Sequence, residues 1–379
     1  MSLQVDCCAD SAAFQPWAAQ WNALAQAAPQ HQPMLSAAWV EAYAQTLLPA
    51  GAQLQCLLAH QDGRLLGVLP LVVQTAGPRA WGIATAATPY DPHSAFGDML
   101  ADAASASTVL AALLQAARQL QPQPHRPRLH LRELAFRGVE AQSPTLAALA
   151  TLANTAQALR SVSNPRGWGS FLSVAGSWMA YRSSLSKNFT ANLRKAHNRL
   201  REPHLPAVRF EWLTGDQASP QHLASFMALE ALGWKGQAGS AIDQSARLQR
   251  FYARLTANAS AAGMLEWHFM WLGGRLIAAH LAWRCGRVLS LLKIAYDENQ
   301  GRFSPGSLLF EATAERAFAC NDTDEINCLT DMAWHQPWNM QRREYLDMRL
   351  YPSTLLGLGL GLAPRLLVNH LRKGKQRRG

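Results

Sequence analysis

The first residues that suggest chemistry are Ser304-Pro305-Gly306-Ser307, in the run RFSPGSLLFEATAERAF. Serine at a cap, proline at the first helical position and glycine in the first turn open a helix predicted from Gly306 to Cys320. The unpaired backbone N–H groups and positive dipole end of such a terminus attract anions, and a pyrophosphate suits them. Glycine matters because a Cβ there would hold the phosphate away. The same four residues are also simply a good helix start. A second candidate is the polar, glycine-rich segment WKGQAGS at 234–240, which follows a helix carrying Glu230. Trp234 and Lys235 could close there on a ligand, or merely follow a helix cap. The third is a basic amphipathic helix predicted from Trp178 to about Arg201, bearing Lys187, Arg194, Lys195 and Arg199. Arginine and lysine hold their charge and bind phosphate oxygens, although most basic helix faces are only solvated.

These candidates need a scaffold, and 379 residues are too many for one core, so two domains are expected. Apolar residues make up 49% and charged residues 16%, a globular composition. The net charge of +10 sits in two places. Six basic residues and one acid lie between Arg182 and His204, and six basic residues and no acid between Pro364 and Gly379. The remainder is near neutral, and no aromatic stacking set accompanies the charge, so DNA is not expected as a partner. Six scattered cysteines show no CxxC pair and no Cys/His metal spacing, which implies free thiols and no metal. The opening MSLQVDCCADSAAF has no basic or apolar leader pattern, so no export signal is expected.

Apolar periodicity and turn residues predict helices over 36–48, 103–120, 141–152, 243–261 and after Ser219-Pro220. Strands are predicted in a hairpin over 54–74 and at 128–136, 158–162, 207–213, 264–272, 275–285, 287–297, 324–331 and 344–351. Gly63-Arg64-Leu65-Leu66 and Gly274-Arg275-Leu276-Ile277 each follow a hairpin turn, an echo that suggests a duplicated domain.

KIAYDENQGRFSPGSLLFEA, with EALGWKGQAGSAI upstream and DMAWHQPWN downstream, resembles GNAT-superfamily acetyltransferases of the CelD type associated with cellulose biosynthesis. These are similar in turn to the duplicated-GNAT Fem-type aminoacyltransferases. The match runs from about Trp178 to Tyr351, and more loosely through PMLSAAW, GVLPLV and PYDPHSAFGDML. The usual phosphate loop, [QR]xxGx[GA], is present only in altered form, with Arg302 and Gly306 in RFSPGS.

The resemblance implies an α/β fold of tandem (duplicated) GNAT-like domains, with mixed, mostly antiparallel sheets flanked by helices. The expected division is 1–160, a degenerate first domain; 161–351, the acyltransferase domain; and 352–379, an apolar-basic tail. It further implies acetyl-CoA, or another acyl-CoA, as co-substrate. Pantetheine would lie where the strand holding Ile294 and Tyr296 splays from DEINCLTD, with phosphates at Ser304, Pro305, Gly306, Ser307 and Leu308, near Arg302. An acceptor amine must lose a proton before attacking the thioester. Asp331 is the candidate base, and His335, four residues on and able to share a helical face with it, the candidate acid/base or orienter. Both also have plain readings, a helix N-cap and a surface histidine. By the same resemblance Lys187, Arg194 and Lys195 hold an anionic acceptor, and Glu230, Trp234 and Lys235 close on it.

The tail TLLGLGLGLAPRLLVNHLRKGKQRRG has about ten apolar residues before its basic cluster, short of the roughly 20 needed to span a bilayer. It fits peripheral contact with anionic lipid at the inner face of the membrane, or equally an apolar segment packed on the body. The expected protein is thus a cytoplasmic N-acyltransferase acting on a small or lipid-linked sugar within polysaccharide-synthesis machinery. Its rivals are a tRNA-dependent aminoacyltransferase and a non-catalytic scaffold for a polysaccharide synthase.

Overall fold

The computed structural model describes residues 2–75, 83–117, 120, 130–153, 159–233, 241–353, 358–359 and 362–363. They fall into two units, 1–167 with 344–379, and 168–343. Along the chain the first unit comprises β1 (Gln4–Cys8), α1 (Ser11–Phe14), α2 (Ala18–Ala27), α3 (Ala37–Thr46), β2 (Gln53–Gln61), β3 (Arg64–Thr75) and β4 (Ile83–Ala87). It continues with β5 (Leu100–Ala101), α4 (Ala106–Ala117), β6 (His130–Glu140), α5 (Pro144–Ala153) and the first part of β7 (Leu159–Ser173). The second contains α6 (Trp178–Ser184), α7 (Lys187–Leu200), β8 (Val208–Leu213), α8 (His222–Ala231), α9 (Ala246–Ala261), β9 (Leu265–Leu272), β10 (Arg275–Cys285) and β11 (Val288–Tyr296). After α10 (Pro305–Cys320) and β12 (Glu325–Asn327), the chain closes with β13 (Gln341–Pro352), which from Glu344 belongs to the first unit.

Each unit is a mixed sheet flanked by helices. In the first, the strand order is β1-β2-β3-β4-β6-β13, with β5 also pairing β3; in the second it is β7-β12-β11-β10-β9-β8. α4 buries Val109, Leu110, Leu113, Leu114 and Ala117, the i, i+1, i+4 rhythm of a helix laid on a sheet, against Leu57, Leu69, Leu71 and Phe136. In the second unit α10 buries Leu308, Leu309, Phe310 and Ala314 against Met270, Ala278, Ala282 and Leu291.

The echo in the sequence marks a real correspondence. Asp62-Gly63 and Gly273-Gly274 are two-residue turns with positive φ at both positions, as type I′ hairpins require. After each turn an arginine reaches forward to an aspartate just past a later strand: Arg64 to Asp102 after β5 and Arg275 to Asp297 after β11, both at 2.7 Å. Each aspartate donates its N–H to the fourth residue of the echo, Leu66 or Ile277, at 2.9 Å. Each also caps the following turn, from Ala104 N–H or Asn299 N–H, at 3.0 Å. The same clip therefore turns strand into helix in both units.

The two copies differ at one place. β11 pairs β10 continuously except for one bulged residue, Leu292, between the Leu281–Lys293 and Ala282–Leu291 pairs. On β3 the matching partner is broken into β4 and β5, with residues 88–99 inserted between them.

Three predicted elements change on inspection. The basic helix predicted from Trp178 to Arg201 is two helices, because Leu185 is extended and the Ser186 side chain caps Phe189 N–H. The strand predicted over 324–331 pairs only through Asn327, whose side chain takes Leu329 N–H at 2.8 Å while Leu329 adopts a positive φ of 61°. The strand at 344–351, read as closing the second half, pairs with β6 in the first unit.

Candidate active site

In the second unit β11 and β12 run parallel for three pairs only, Val288–Glu325, Leu289–Ile326 and Ser290–Asn327. Beyond that point the chain after β12 turns to β7, with Cys328 N–H donating to Ser170 O and Ser170 N–H to Thr330 O. β11 runs on to Tyr296, still paired with β10 on its other edge. The edge of β11 from Leu291 onward therefore faces no strand among the described residues, as expected of a splayed pair. The bulge at Leu292 falls at the point of divergence.

At the far end of that edge stands the start of α10. Ser304 is in the left-handed region, at φ 49°, and no side chain caps the first turn. Gly306 and Ser307 are partly exposed, and their N–H groups have no partner among the described residues. Leu308 differs from expectation: its N–H donates to Ser304 O at 3.0 Å and its side chain is in the core, so it has no amide to offer an anion. The glycine also has a more local reason than closeness to phosphate. A Cβ at 306 would stand 3.2 Å from the Tyr296 ring, which lies along this turn. Pro305 is buried, Arg302 is exposed with its guanidinium over Phe303, and Ile294 packs in the α10 core.

α7 is fastened to this helix end. Leu193 and Ala196 pack in the same core as α10. Glu311, buried on α10, accepts from Arg182 Nε at 3.2 Å and pairs with His197 Nε2 at 2.8 Å. Arg199 donates to Arg302 O at 2.6 Å. Lys187, Arg194 and Lys195 point away, exposed and without an ion pair among the described residues. Among these, sequence reasoning missed the roles of Arg199, His197 and Glu311, whose pairing spans more than a hundred positions.

Asp331 lies exposed in the loop after β12, where Ser170 Oγ donates to Oδ1 at 2.8 Å and Arg342 pairs with Oδ2 at 2.5 Å. It shares no helix with His335: the short 3-10 turn spans Ala333–Trp338 and its cap is Met332. Nor is His335 a surface residue. It is 2% exposed, its Nδ1 accepts Met332 N–H at 3.0 Å, and Trp334 crosses its ring edge-on. Burial pushes its pKa down to about 4, against a smaller opposing pull from Asp331. At neutral pH the ring is uncharged, and with Nδ1 accepting, its proton resides on Nε2. Ser170 and Arg342, the partners of Asp331, carried no signal in the sequence beyond their type.

Glu230 is buried, accepting Ile242 N–H at 3.0 Å and lying 3.6 Å from Lys293 Nζ on β11. Trp234 and Lys235 lie outside the described residues.

Among the described residues a parallel pair parts beside an uncapped helix terminus in the second unit alone, and the matching clips give the chain a fold of tandem GNAT-like domains. Residues 187–332 match the acetyltransferase (GNAT) domain family. The fold is similar to the crystal structure of FemX, at 11% identity over 92% of this chain and 97% of that one, TM-score 0.61. It is also similar to a conserved protein of unknown function from Bacteroides thetaiotaomicron, at 13% identity over 88% and 96%, TM-score 0.54. A third likeness is to the C-terminal domain of an Agrobacterium fabrum protein assigned as a lysylphosphatidylglycerol synthetase, at 10% identity over 90% and 94%, TM-score 0.51. No curated protein sequence matches the chain.

Proposed function

We propose that this protein is an N-acyltransferase that passes an acyl group, acetyl in the first instance, from coenzyme A to an amine of a sugar or related envelope or exopolysaccharide precursor. The observation that carries the reading is that β11 parts from β12 after Ser290 and leads to the amides of Gly306 and Ser307, which have no partner among the described residues. An extended pantetheine amide chain suits such an edge, and a pyrophosphate suits such a terminus. Asp331, with one oxygen on Ser170 and one on Arg342, is the base proposed to take the amine proton. His335 is a positioning residue, since its Nδ1 fixes the backbone next to Asp331. Lys187, Arg194 and Lys195 supply an exposed cationic face for an anionic acceptor.

The test is calorimetry of the full chain with acetyl-CoA, followed by thioester release against a panel of amino sugars and nucleotide sugars. Binding near 1:1 with release on one acceptor class supports the proposal; no heat with acetyl-CoA overturns it. The second reading, aminoacyl transfer from charged tRNA, is favoured by the likeness to FemX together with the exposed basic face of α7. It predicts a salt-sensitive tRNA complex and no coenzyme binding. A scaffold would bind neither.

No helix among the described residues is long and apolar enough to cross a membrane. The proposed peripheral anchor, 354–379, lies almost wholly outside the described residues. Deleting it should move the protein from membrane to soluble fraction; unchanged partition removes the anchor from the proposal.

A further inference from the structure

The first unit has its own cluster of charge, on the sheet face opposite α4. Arg137 on β6 faces Asp347 on β13 across the ladder, and Ala135 faces Arg349, so Glu133, Arg137, Asp347 and Arg349 share one face. The carboxylates are already engaged. Glu133 takes Arg349 and the Tyr351 hydroxyl, and Asp347 takes Arg166 at 2.9 Å and Gly138 N–H at 3.0 Å. That leaves Arg137, half-buried, with a guanidinium that donates to nothing among the described residues. Nε of Arg349 is likewise buried without a partner among them. Burial first, and then the nearby Arg349 charge, press the Arg137 pKa downward, against an opposing pull from Asp347 and Glu133.

The inserted residues 88–99 build the rest. Thr88 N–H donates to Ala135 O at 2.9 Å and Gly97 N–H to Arg137 O at 2.7 Å, so the loop takes up the β6 edge. Trp39 Nε1 holds Ser94 Oγ at 2.9 Å, and the Tyr43 hydroxyl holds Tyr90 O at 3.2 Å. The loop thus presents the exposed ring of Tyr90 to two guanidiniums, Arg166 at 4.6 Å and Arg137 at 5.6 Å from its centroid. Three guanidiniums, Arg137, Arg166 and Arg349, face two carboxylates, Glu133 and Asp347, so this face carries one positive charge in excess. A half-buried arginine that donates no hydrogen bond among the described residues, beside an aromatic ring, suits an added anion.

We propose that Arg137, with Arg166, Arg349 and Tyr90, binds the phosphate group of a small-molecule ligand on the first unit. The guanidinium of Arg137, which donates no hydrogen bond among the described residues, together with those of Arg166 and Arg349, each engaged by one carboxylate, makes a donor set suited to the several oxygens of a phosphate. The site lies within the first unit and does not rest on the acyl-transfer reading.

The test uses the full chain with acetyl-CoA at saturation, so that the α10 terminus is filled, and inorganic pyrophosphate as the titrant, read by calorimetry and thermal melting, with Arg137→Gln and the paired variant Lys187→Gln/Arg194→Gln. Wild type and the α7 pair should bind alike, while Arg137→Gln weakens binding tenfold or more and removes the ligand-induced rise in melting temperature. Without ligand, Arg137→Gln should melt close to wild type, since the lost guanidinium donates no hydrogen bond among the described residues and its removal relieves the repulsion of Arg349 as well as the attraction of Asp347. A lower melting point with unchanged pyrophosphate affinity makes Arg137 a structural residue and overturns the proposal. So does loss of binding confined to the α7 pair, or tighter binding of acetate than of pyrophosphate. Should Arg137→Gln fail to fold, Arg137→Lys supplies the same test, with retained charge and weakened rather than abolished binding expected. Acetyl-CoA binding, measured on the same samples, is unaffected by Arg137→Gln, so failure here and failure of the acyl-transfer proposal are separable.

Discussion

Asp331 is where the proposed reaction is most exposed to test at the residue scale. Its carboxylate is held in place by Ser170 and Arg342, so the isosteric Asp331→Asn keeps size and most contacts while removing the base. Turnover should fall about 10²–10⁴-fold with acetyl-CoA affinity unchanged, measured by thioester release and calorimetry. Retained turnover would move the base elsewhere. The buried titrating groups make a second prediction. His335 is held down to about 4 and His280, buried beside His268, well below the ordinary 6.5. Each disfavours its charged form in the fold, so the stability it protects is full above 6.5 and is lost as pH falls below it. Asp98 has the opposite sign: burial raises it from 3.8 to about 6, so it favours the fold at low pH and loses that contribution as pH rises through about 6. Two histidines outweigh one carboxyl, and the urea midpoint should drop between pH 7 and 4.5. Asp98→Asn should steepen that drop. A pH-independent midpoint would refute the assignment.

The elements carry the next two predictions. Gly306→Ala places a methyl against Tyr296, at 3.2 Å, on the turn whose amides are free. Coenzyme affinity should fall roughly tenfold while stability changes by about 1 kcal/mol or less, separating binding from folding. The repeated clip is testable by comparison. Asp297 is fully buried with Arg275, whereas Asp102 is partly exposed with Arg64. Asp297→Ala should therefore cost on the order of 3 kcal/mol and Asp102→Ala about 1 kcal/mol, by chemical denaturation. Equal losses would mean the clip is not what sets either helix. Hairpins were legible because Asp62-Gly63 and Gly273-Gly274 announce positive φ. So was the start of α10, because Ser304-Pro305-Gly306 carries its own local chemistry. The break at Leu185-Ser186 was not, since apolar spacing runs straight through it and only a cap bond interrupts it. The early end of β12 depends on one side chain, Asn327, turning back on its own backbone. Asp331's partners lie 161 and 11 positions away, brought to it by β7 and β13, a distance no local pattern reports.

Across the whole chain, one architecture has been used twice and kept open once. In the second unit β11 carries a single bulged residue, Leu292, where it parts from β12. In the first, the inserted residues 88–99 run beside β6, the counterpart of β12, with the amides of Thr88 and Gly97 donating to it. The consequence is a stoichiometry. A polypeptide with two related halves should saturate at one mole of coenzyme per mole of chain, and equilibrium dialysis returning two would show that the plug in the first half yields to a nucleotide.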